Sequence, residues 1–232
     1  MKESQEIPWK RIFVEATAIV ASILLAFAID AWWQNRTERI VETQYLQALR
    51  ADLHRSLQLL DEIEAQQRLQ VGYLESLLLT NGDNAFSDEL RRWIDDGLFN
   101  VGTYKPQISA LRDLESSGQT QIIQNQDLRR VLASIRQRMD GLETVQRDFQ
   151  QSQQMLIDTY LVDNFNLSAL MPNPTTSNEP DLSMLGTSDF QSRVAFKITL
   201  RGHVSQSQHE VRAAFNEALE LIDTELDTTD GS

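Results

Sequence analysis

One stretch, Ile12–Trp33, constrains this chain more than any other, because it alone is long and apolar enough to cross a lipid bilayer. It reads IFVEATAIVASILLAFAIDAWW, and as a helix it rises about 33 Å, close to the roughly 30 Å hydrocarbon core. The residues that would lie at the two membrane interfaces flank or close it: Lys10, Arg11, Trp32, Trp33 and Arg36. The pattern predicts a transmembrane anchor over residues 12–33.

Two acidic residues interrupt this apolar stretch, Glu15 about one turn inside its start and Asp30 about one turn inside its end. A carboxylate costs on the order of 2.5–3.5 kcal/mol at the bilayer centre and less near the headgroups, so both side chains can reach an interface. An alternative is that a second transmembrane helix packs on this one and shelters both carboxylates. At 100° per residue, Glu15, Ala18, Ser22, Ala26 and Asp30 share one face of the helix. The small residues of this stripe, Ala18, Ser22 and Ala26, would let a second helix approach closely.

A cleaved signal peptide is the other interpretation, since Ala26-Phe27-Ala28 resembles a cleavage site after an apolar run. Glu15, at the start of the apolar run, and the tryptophan pair beyond the site favour an uncleaved signal-anchor. The basic residues before and after the span nearly balance, so orientation rests on the short tail, residues 1–11, preceding a long domain. We expect a cytoplasmic tail, a membrane anchor and a bulk that is periplasmic or, more generally, extracytoplasmic.

The charge is concentrated downstream of this anchor. Of the 21 basic and 34 acidic residues, four of each precede Thr37, so 17 basic and 30 acidic residues remain and carry the whole net charge of −13. Such a domain is repelled by nucleic acid and by anionic headgroups, which argues against a nucleic-acid partner. The chain has no cysteine, which excludes disulfides, a thiol nucleophile and thiolate metal sites.

Apolar residues at spacings of three and four predict three long amphipathic helices over residues 36–80, 126–165 and 188–227. Two short helices lie between the first and second: Asp88–Leu98, with Ser87 as its predicted N-cap, and Gln107–Ser116, with Gly118 as its predicted stop. We therefore predict an all-α fold: the transmembrane helix continues into an elongated antiparallel bundle over residues 35–227. In this arrangement residues 81–124 form the distal tip, residues 166–187 form a loop near the membrane, and residues 228–232 form a disordered tail.

Three segments carry a family resemblance: LLAFAIDAWWQNR (Leu24–Arg36), QYLQALRADLHRSL (Gln44–Leu57) and LRDLESSGQTQIIQNQDLRRVL (Leu111–Leu132). Together they resemble an uncharacterised family of bacterial single-pass membrane proteins, a domain of unknown function, over about residues 12–135. The resemblance implies an N-terminal anchor and a helical extracytoplasmic domain. It implies no activity.

Motifs for catalysis or metal binding are not evident in the sequence. The three histidines, His54, His203 and His209, form no His-Glu-x-x-His pattern, and there is no glycine-rich phosphate loop or Gly-x-Ser-x-Gly elbow. Acidic clusters at residues 61–64 and 95–96 are typical of solvated helix faces, although carboxylates paired across helices remain an alternative. We predict no catalytic residue, no cofactor and no metal, and hence a protein that is not an enzyme.

These observations favour a membrane-anchored helical interaction or scaffold protein whose partners are the bilayer and either a second copy or another membrane protein. One alternative is an accessory subunit of a transporter or ion-driven complex, with Asp30 as the intramembrane acid. Another is an extracytoplasmic, sensor-like bundle that binds a ligand.

Overall fold

The computed structural model describes residues 9–82, 86–167 and 181–230 of the chain, and these residues form an all-α structure without a strand. The helices are α1 (Trp9–Leu78), α2 (Asp88–Arg92), α3 (Ser109–Ser116), α4 (Gln126–Ser152), α5 (Thr159–Asn164) and α6 (Ser188–Asp230). A π-helical segment, Trp93–Phe99, prolongs α2, a second one, Gln153–Asp158, joins α4 to α5, and Thr120–Ile122 form a 3-10 turn. The predicted fold class, a long N-terminal helix followed by a helical bundle, is confirmed.

Helix α1 runs for 70 residues without a break and is about 105 Å long. No proline lies within it, and its single glycine, Gly72, is too little to interrupt it. The helix ends before Gly82, where a Cβ atom would come within 2.9 Å of the Leu182 carbonyl oxygen. The apolar stretch therefore passes directly into the first helix of the bundle, as its sequence predicts.

Capping side chains set the starts of two further helices. The Ser87 hydroxyl accepts a hydrogen bond from the Leu90 N–H (3.1 Å) at the start of α2, and the predicted N-cap is confirmed. Asn125 caps α4 by accepting from the Leu128 N–H (3.0 Å). Helix α3 ends at Ser116, two residues before Gly118, whose φ of +69° lies in the left-handed region that favours glycine. Helix α6 continues to Asp230, past the predicted start of the tail at residue 228, and residues 231–232 lie outside the described residues.

The bundle buries two hydrophobic cores along its length. The proximal core, next to the exposed part of α1, includes Leu46, Leu49, Leu53, Leu128, Ile135, Phe215 and Ile222. The distal core, at the far end of α1, includes Leu74, Leu77, Ile94, Leu98, Leu161, Phe190 and Val194. Between them several polar residues are buried, so the bundle is a rod with apolar ends and a polar middle.

The path of the chain differs from the prediction that residues 81–124 form the distal tip. Only the segment up to Phe99 packs in the distal core. Residues 100–108, which we call the strap, run back along the bundle as extended chain, so that Ser109 bonds to Asp52 on α1 (2.9 Å). Farther on, the Gln124 N–H donates to Glu42 (2.6 Å), near the proximal end.

This return path reverses α4, which starts at the proximal end and runs parallel to α1. Residues 181–187 then lie at the distal end beside Gly82, so the prediction of a membrane-near loop is wrong for them; residues 168–180 are outside the described part of the chain. Helix α6 descends antiparallel to both, and its end lies near the proximal end, where Glu225 accepts from Asn125 (2.6 Å).

The error has a simple physical cause. Apolar periodicity shows which face of a helix is buried but not which way the helix runs. Eleven residues of extended chain from Leu98 to Ser109 reach up to about 36 Å, enough to run beside the roughly 32 Å of α1 between Tyr73 and Asp52. A linker of this length permits a parallel neighbour as readily as an antiparallel one.

Candidate functional site

The first part of α1 is an apolar helix that nothing in the described structure covers. Between Thr17 and Leu78 it contains a window with mean hydropathy 1.5, of which 0% is buried, and Leu24 and Phe27 are 62% and 68% exposed. Every residue from Thr17 to Ile40 is exposed. A continuous apolar surface of this length is typical of a segment that lipid or another protein covers.

The predicted small-residue stripe lies on this exposed helix. Ser22 donates its hydroxyl to the Ala18 carbonyl (2.8 Å), which satisfies it within the helix, and Asp30 accepts from the Gln34 amide (3.0 Å). Ala26 is exposed like Ser22, and so are the other three residues of the stripe. The stripe is thus available for packing, and a partner for it remains a prediction.

The predicted interfacial residues lie at both ends of the apolar helix. The Trp32 and Trp33 rings are 6.4 Å apart between centroids, and both are largely exposed. Trp32 and Arg36 line an open cleft of about 740 Å³ at the foot of the bundle, together with Thr228 near the end of α6. Lys10 and Arg11 lie within the first turns of α1, and their side chains are outside the described part of the structure.

Buried polar side chains of the long helices hold the strap in place, a role that the sequence analysis missed. Gln146 accepts from the Tyr104 N–H (2.7 Å) and donates to the Tyr104 carbonyl (3.1 Å). Ser56 pairs in the same way with the Gln107 N–H and carbonyl (3.0 and 2.9 Å). Extended chain inside a helical bundle has no neighbouring strand, so its backbone groups need such side-chain partners.

A side chain of α1 also bonds the backbone at the start of α3. Asp52 on α1 accepts from both the Ser109 hydroxyl and the Ala110 N–H (2.9 Å each), and so caps the N-terminus of α3 from another helix. The sequence signal for these residues was a polar residue at a stripe position. Gln146, for example, lies four residues after Leu142 and three before Phe149, both of which are buried.

Two cations, Lys197 and Arg201, are buried one turn apart on α6 in the polar middle of the bundle. The Lys197 amine donates to the Leu98 carbonyl, which also accepts from Gln153 (2.8 Å). Burial, together with the charge of Arg201, lowers the pKa of Lys197 to about 7, while Asp158 opposes this shift. The amine therefore titrates near neutral pH in the folded protein, where its charged and neutral forms are both populated.

Arg201 is held by different groups. It donates to the Gln70 side-chain oxygen (2.9 Å) and to the Gly102 carbonyl of the strap (3.3 Å), and its guanidinium lies 4.3 Å from the centre of the Phe149 ring. Burial lowers its pKa to about 10. Arg201 thus stays charged and fastens the strap to α6.

The surroundings of Lys197 favour a structural role over a reactive one. The crevice beside it, lined by Gln153, Leu156 and Phe196, has a volume of about 10 Å³, near the minimum for one water molecule. A substrate carbonyl has no room there. We therefore interpret Lys197 as a buried side chain that contacts the segment before the strap and not as a reactive amine.

The acidic clusters noted in the sequence contribute ion pairs. Arg212 on α6 lies 2.7 Å from Asp61 and 3.1 Å from Glu64, and it bridges two acids that the sequence alone would leave to solvent. Burial is the main cause that raises the pKa of Asp95, with Asp96 adding to it and Arg91 opposing it. His209 lies 3.9 Å from Glu64, and no group of three or more potential metal ligands occurs among the described residues.

The chain was compared with protein-family models, curated proteins and solved structures. No protein-family model, no curated protein and no solved structure matches the chain.

Proposed function

We propose that this protein is a membrane-anchored interaction or scaffold protein without catalytic activity, with its apolar helix in the bacterial inner membrane and its bundle in the periplasm. One observation carries the proposal: the unburied apolar segment and the first helix of the bundle are one uninterrupted helix. A signal sequence that is removed would not need such continuity. A core helix of a soluble protein would not be wholly exposed.

The length of α1 sets how far the bundle extends from the membrane. Trp33, the last residue of the proposed anchor, and Leu78 are 45 residues apart in α1, so the distal end of the bundle stands up to about 68 Å from the end of the anchor. Because the strap and α6 are fastened along this helix, the bundle moves with the anchor as one rod. A rod of this kind displays its surfaces at a fixed height, which suits a scaffold.

The predicted family, an uncharacterised group of bacterial single-pass membrane proteins, belongs to this proposal, as do the cytoplasmic tail and the lateral partner. We propose that the stripe of Ala18, Ser22 and Ala26 packs on a helix of a second copy or of another membrane protein. Close packing there also shelters Glu15 and Asp30 from lipid.

The test is to tag the full chain, extract it in a mild detergent and identify what remains bound after crosslinking in the membrane. A variant with isoleucine at Ala18, Ser22 and Ala26 fills the stripe. A matched control variant, Ala21→Ile with Ala28→Ile and Ala31→Ile, adds three isoleucines at small, exposed residues on the opposite side of the helix.

We expect a stoichiometric companion or a dimer with the native chain and with the control, and its loss with the stripe variant, because added side chains keep the helix backbones apart. A native chain that is monomeric and without a companion would contradict the scaffold proposal. If the stripe variant and the control variant retained the companion or the dimer to the same extent, the stripe would not be the surface that binds it.

A further inference from the structure

An open groove lies between the strap and α4 and has a volume of about 600 Å³, within the range of small-molecule sites. Its walls come from Thr103, Lys105 and Pro106 of the strap, from Arg112 of α3, and from the face of α4 between Arg136 and Gln150. We call it the α4 groove. Arg136 and Arg147 are eleven residues apart on α4, so the groove extends for about 16 Å along that helix.

The charge of the α4 groove is opposite to that of the protein. Four cationic side chains line it, Lys105, Arg112, Arg136 and Arg147, against two carboxylates, Asp140 and Glu143. The carboxylates are already engaged by two of the arginines: Arg136 lies 3.4 Å from Asp140, and Arg147 lies 3.0 Å from Glu143. The lining residues therefore carry a surplus of two positive charges, in a chain whose net charge is −13, and Glu115, outside the lining, also pairs with Arg136 (3.3 Å).

This surplus belongs to Lys105 and Arg112. Both side chains are exposed, and neither forms an ion pair within the described residues. Lys105 is also unusual in the sequence, because Lys105 and Lys197 are the only lysines after residue 10 and Lys197 is buried. These two charges form no ion pair in the described structure, so both are available to pair with an anionic ligand.

The walls of the groove are fixed before any ligand arrives. Gln146 holds both backbone groups of Tyr104, the residue next to Lys105. Glu115 and Asp140 hold Arg136 from two sides (3.3 and 3.4 Å). Met139 and Leu142 supply an apolar patch between the charged ends. Because these walls are already held, binding does not have to order the strap backbone or Arg136, which lowers the entropic cost of binding.

We propose that the α4 groove binds a small anion with at least two carboxylate or phosphate groups, which Lys105 and Arg112 neutralise. This inference is independent of the scaffold proposal, since it needs neither the stripe nor a protein partner.

The test is isothermal titration calorimetry on the full chain in nanodiscs of zwitterionic lipid, with citrate and inorganic pyrophosphate as probes, so that the carboxylate and phosphate arms are compared. The variant is Lys105→Gln with Arg112→Gln. A control, Arg92→Gln with Arg130→Gln, removes the same charge from exposed positions outside the groove. Thermal unfolding of all three proteins verifies that they are folded.

We expect at least one probe to bind the native chain and the control with equal affinity, and the groove variant to bind it roughly tenfold or more weakly, since charge-assisted contacts are lost. The affinity should fall as salt rises. Absence of binding for both probes up to millimolar concentration would overturn the proposal. Equal weakening in both double variants, or tighter binding of hexaglutamate than of either probe, would also overturn it, the latter in favour of an acidic peptide.

Discussion

Replacing Gln146 with leucine is expected to lower the free energy of unfolding by roughly 3 kcal/mol, because it leaves two buried backbone groups without partners. The Gln146 side chain bonds both the N–H and the carbonyl of Tyr104, at 2.7 and 3.1 Å, and leucine has a similar size but no polar atom. Urea unfolding of the full chain in detergent, followed by circular dichroism, measures the change.

Gln208→Leu is the matched control, because Gln208 is also fully buried but neither of its amide atoms has a partner among the described residues. Removing an unsatisfied buried amide should raise stability by about 1 kcal/mol. Opposite signs for the two substitutions would establish that the bonds to the strap, and not glutamine burial as such, stabilise the bundle. A loss of stability in Gln208→Leu equal to that in Gln146→Leu would refute this.

Replacing Lys197 with methionine is expected to stabilise the protein at pH 6.5 by on the order of 3 kcal/mol and to flatten its stability above pH 7. The pKa of Lys197 is about 7 in the folded state against 10.5 for an ordinary lysine, mainly because the amine is buried. Between these two pH values the unfolded chain binds one more proton than the folded chain. The free energy of unfolding of the native protein therefore rises with pH through this window.

Below pH 7 the amine is charged in both the folded and the unfolded state, so the native protein bears the full cost of burying that charge. The free energy of unfolding of the methionine variant therefore exceeds that of the native protein by the largest margin there. The Leu98 carbonyl keeps its bond from Gln153 in the variant (2.8 Å). The measurement is the urea midpoint at pH 6.5, 8 and 9.5, with Lys105→Met as control because that lysine is exposed. If the urea midpoints of the native protein and of Lys197→Met changed with pH in parallel, titration of Lys197 would not be the cause of the pH dependence.

Local features of this fold follow well from the sequence. The uninterrupted apolar run predicts the start of α1, Ser87 predicts the start of α2, and Gly118 predicts the end of α3. Each of these rests on a short-range rule, namely apolar length, a side-chain cap or a backbone angle that glycine tolerates. Such rules need no knowledge of which elements meet.

The path of the strap does not follow from local rules. Whether residues 100–108 turn at the tip or run back along the bundle depends on partners such as Asp52 and Gln146, which lie 58 and 42 residues from the backbone groups they bond. Polar residues in an apolar stripe signal that something polar lies opposite but do not identify it. The α4 groove is equally non-local, since Lys105 and Arg147 become neighbours only once the strap has returned.

The central claim is that the first part of α1 crosses a bilayer and that the bundle stands outside the cytoplasm. Because the chain has no cysteine, single cysteines report on it directly in intact spheroplasts treated with a membrane-impermeant maleimide. Three variants suffice: Gln150→Cys in the bundle, Val20→Cys in the apolar segment and Ser4→Cys in the tail. We expect Gln150→Cys to react at once, Ser4→Cys only after lysis, and Val20→Cys only after denaturation in detergent. Reaction of Val20→Cys in the folded protein without detergent would show that this segment is not in lipid and would contradict the account.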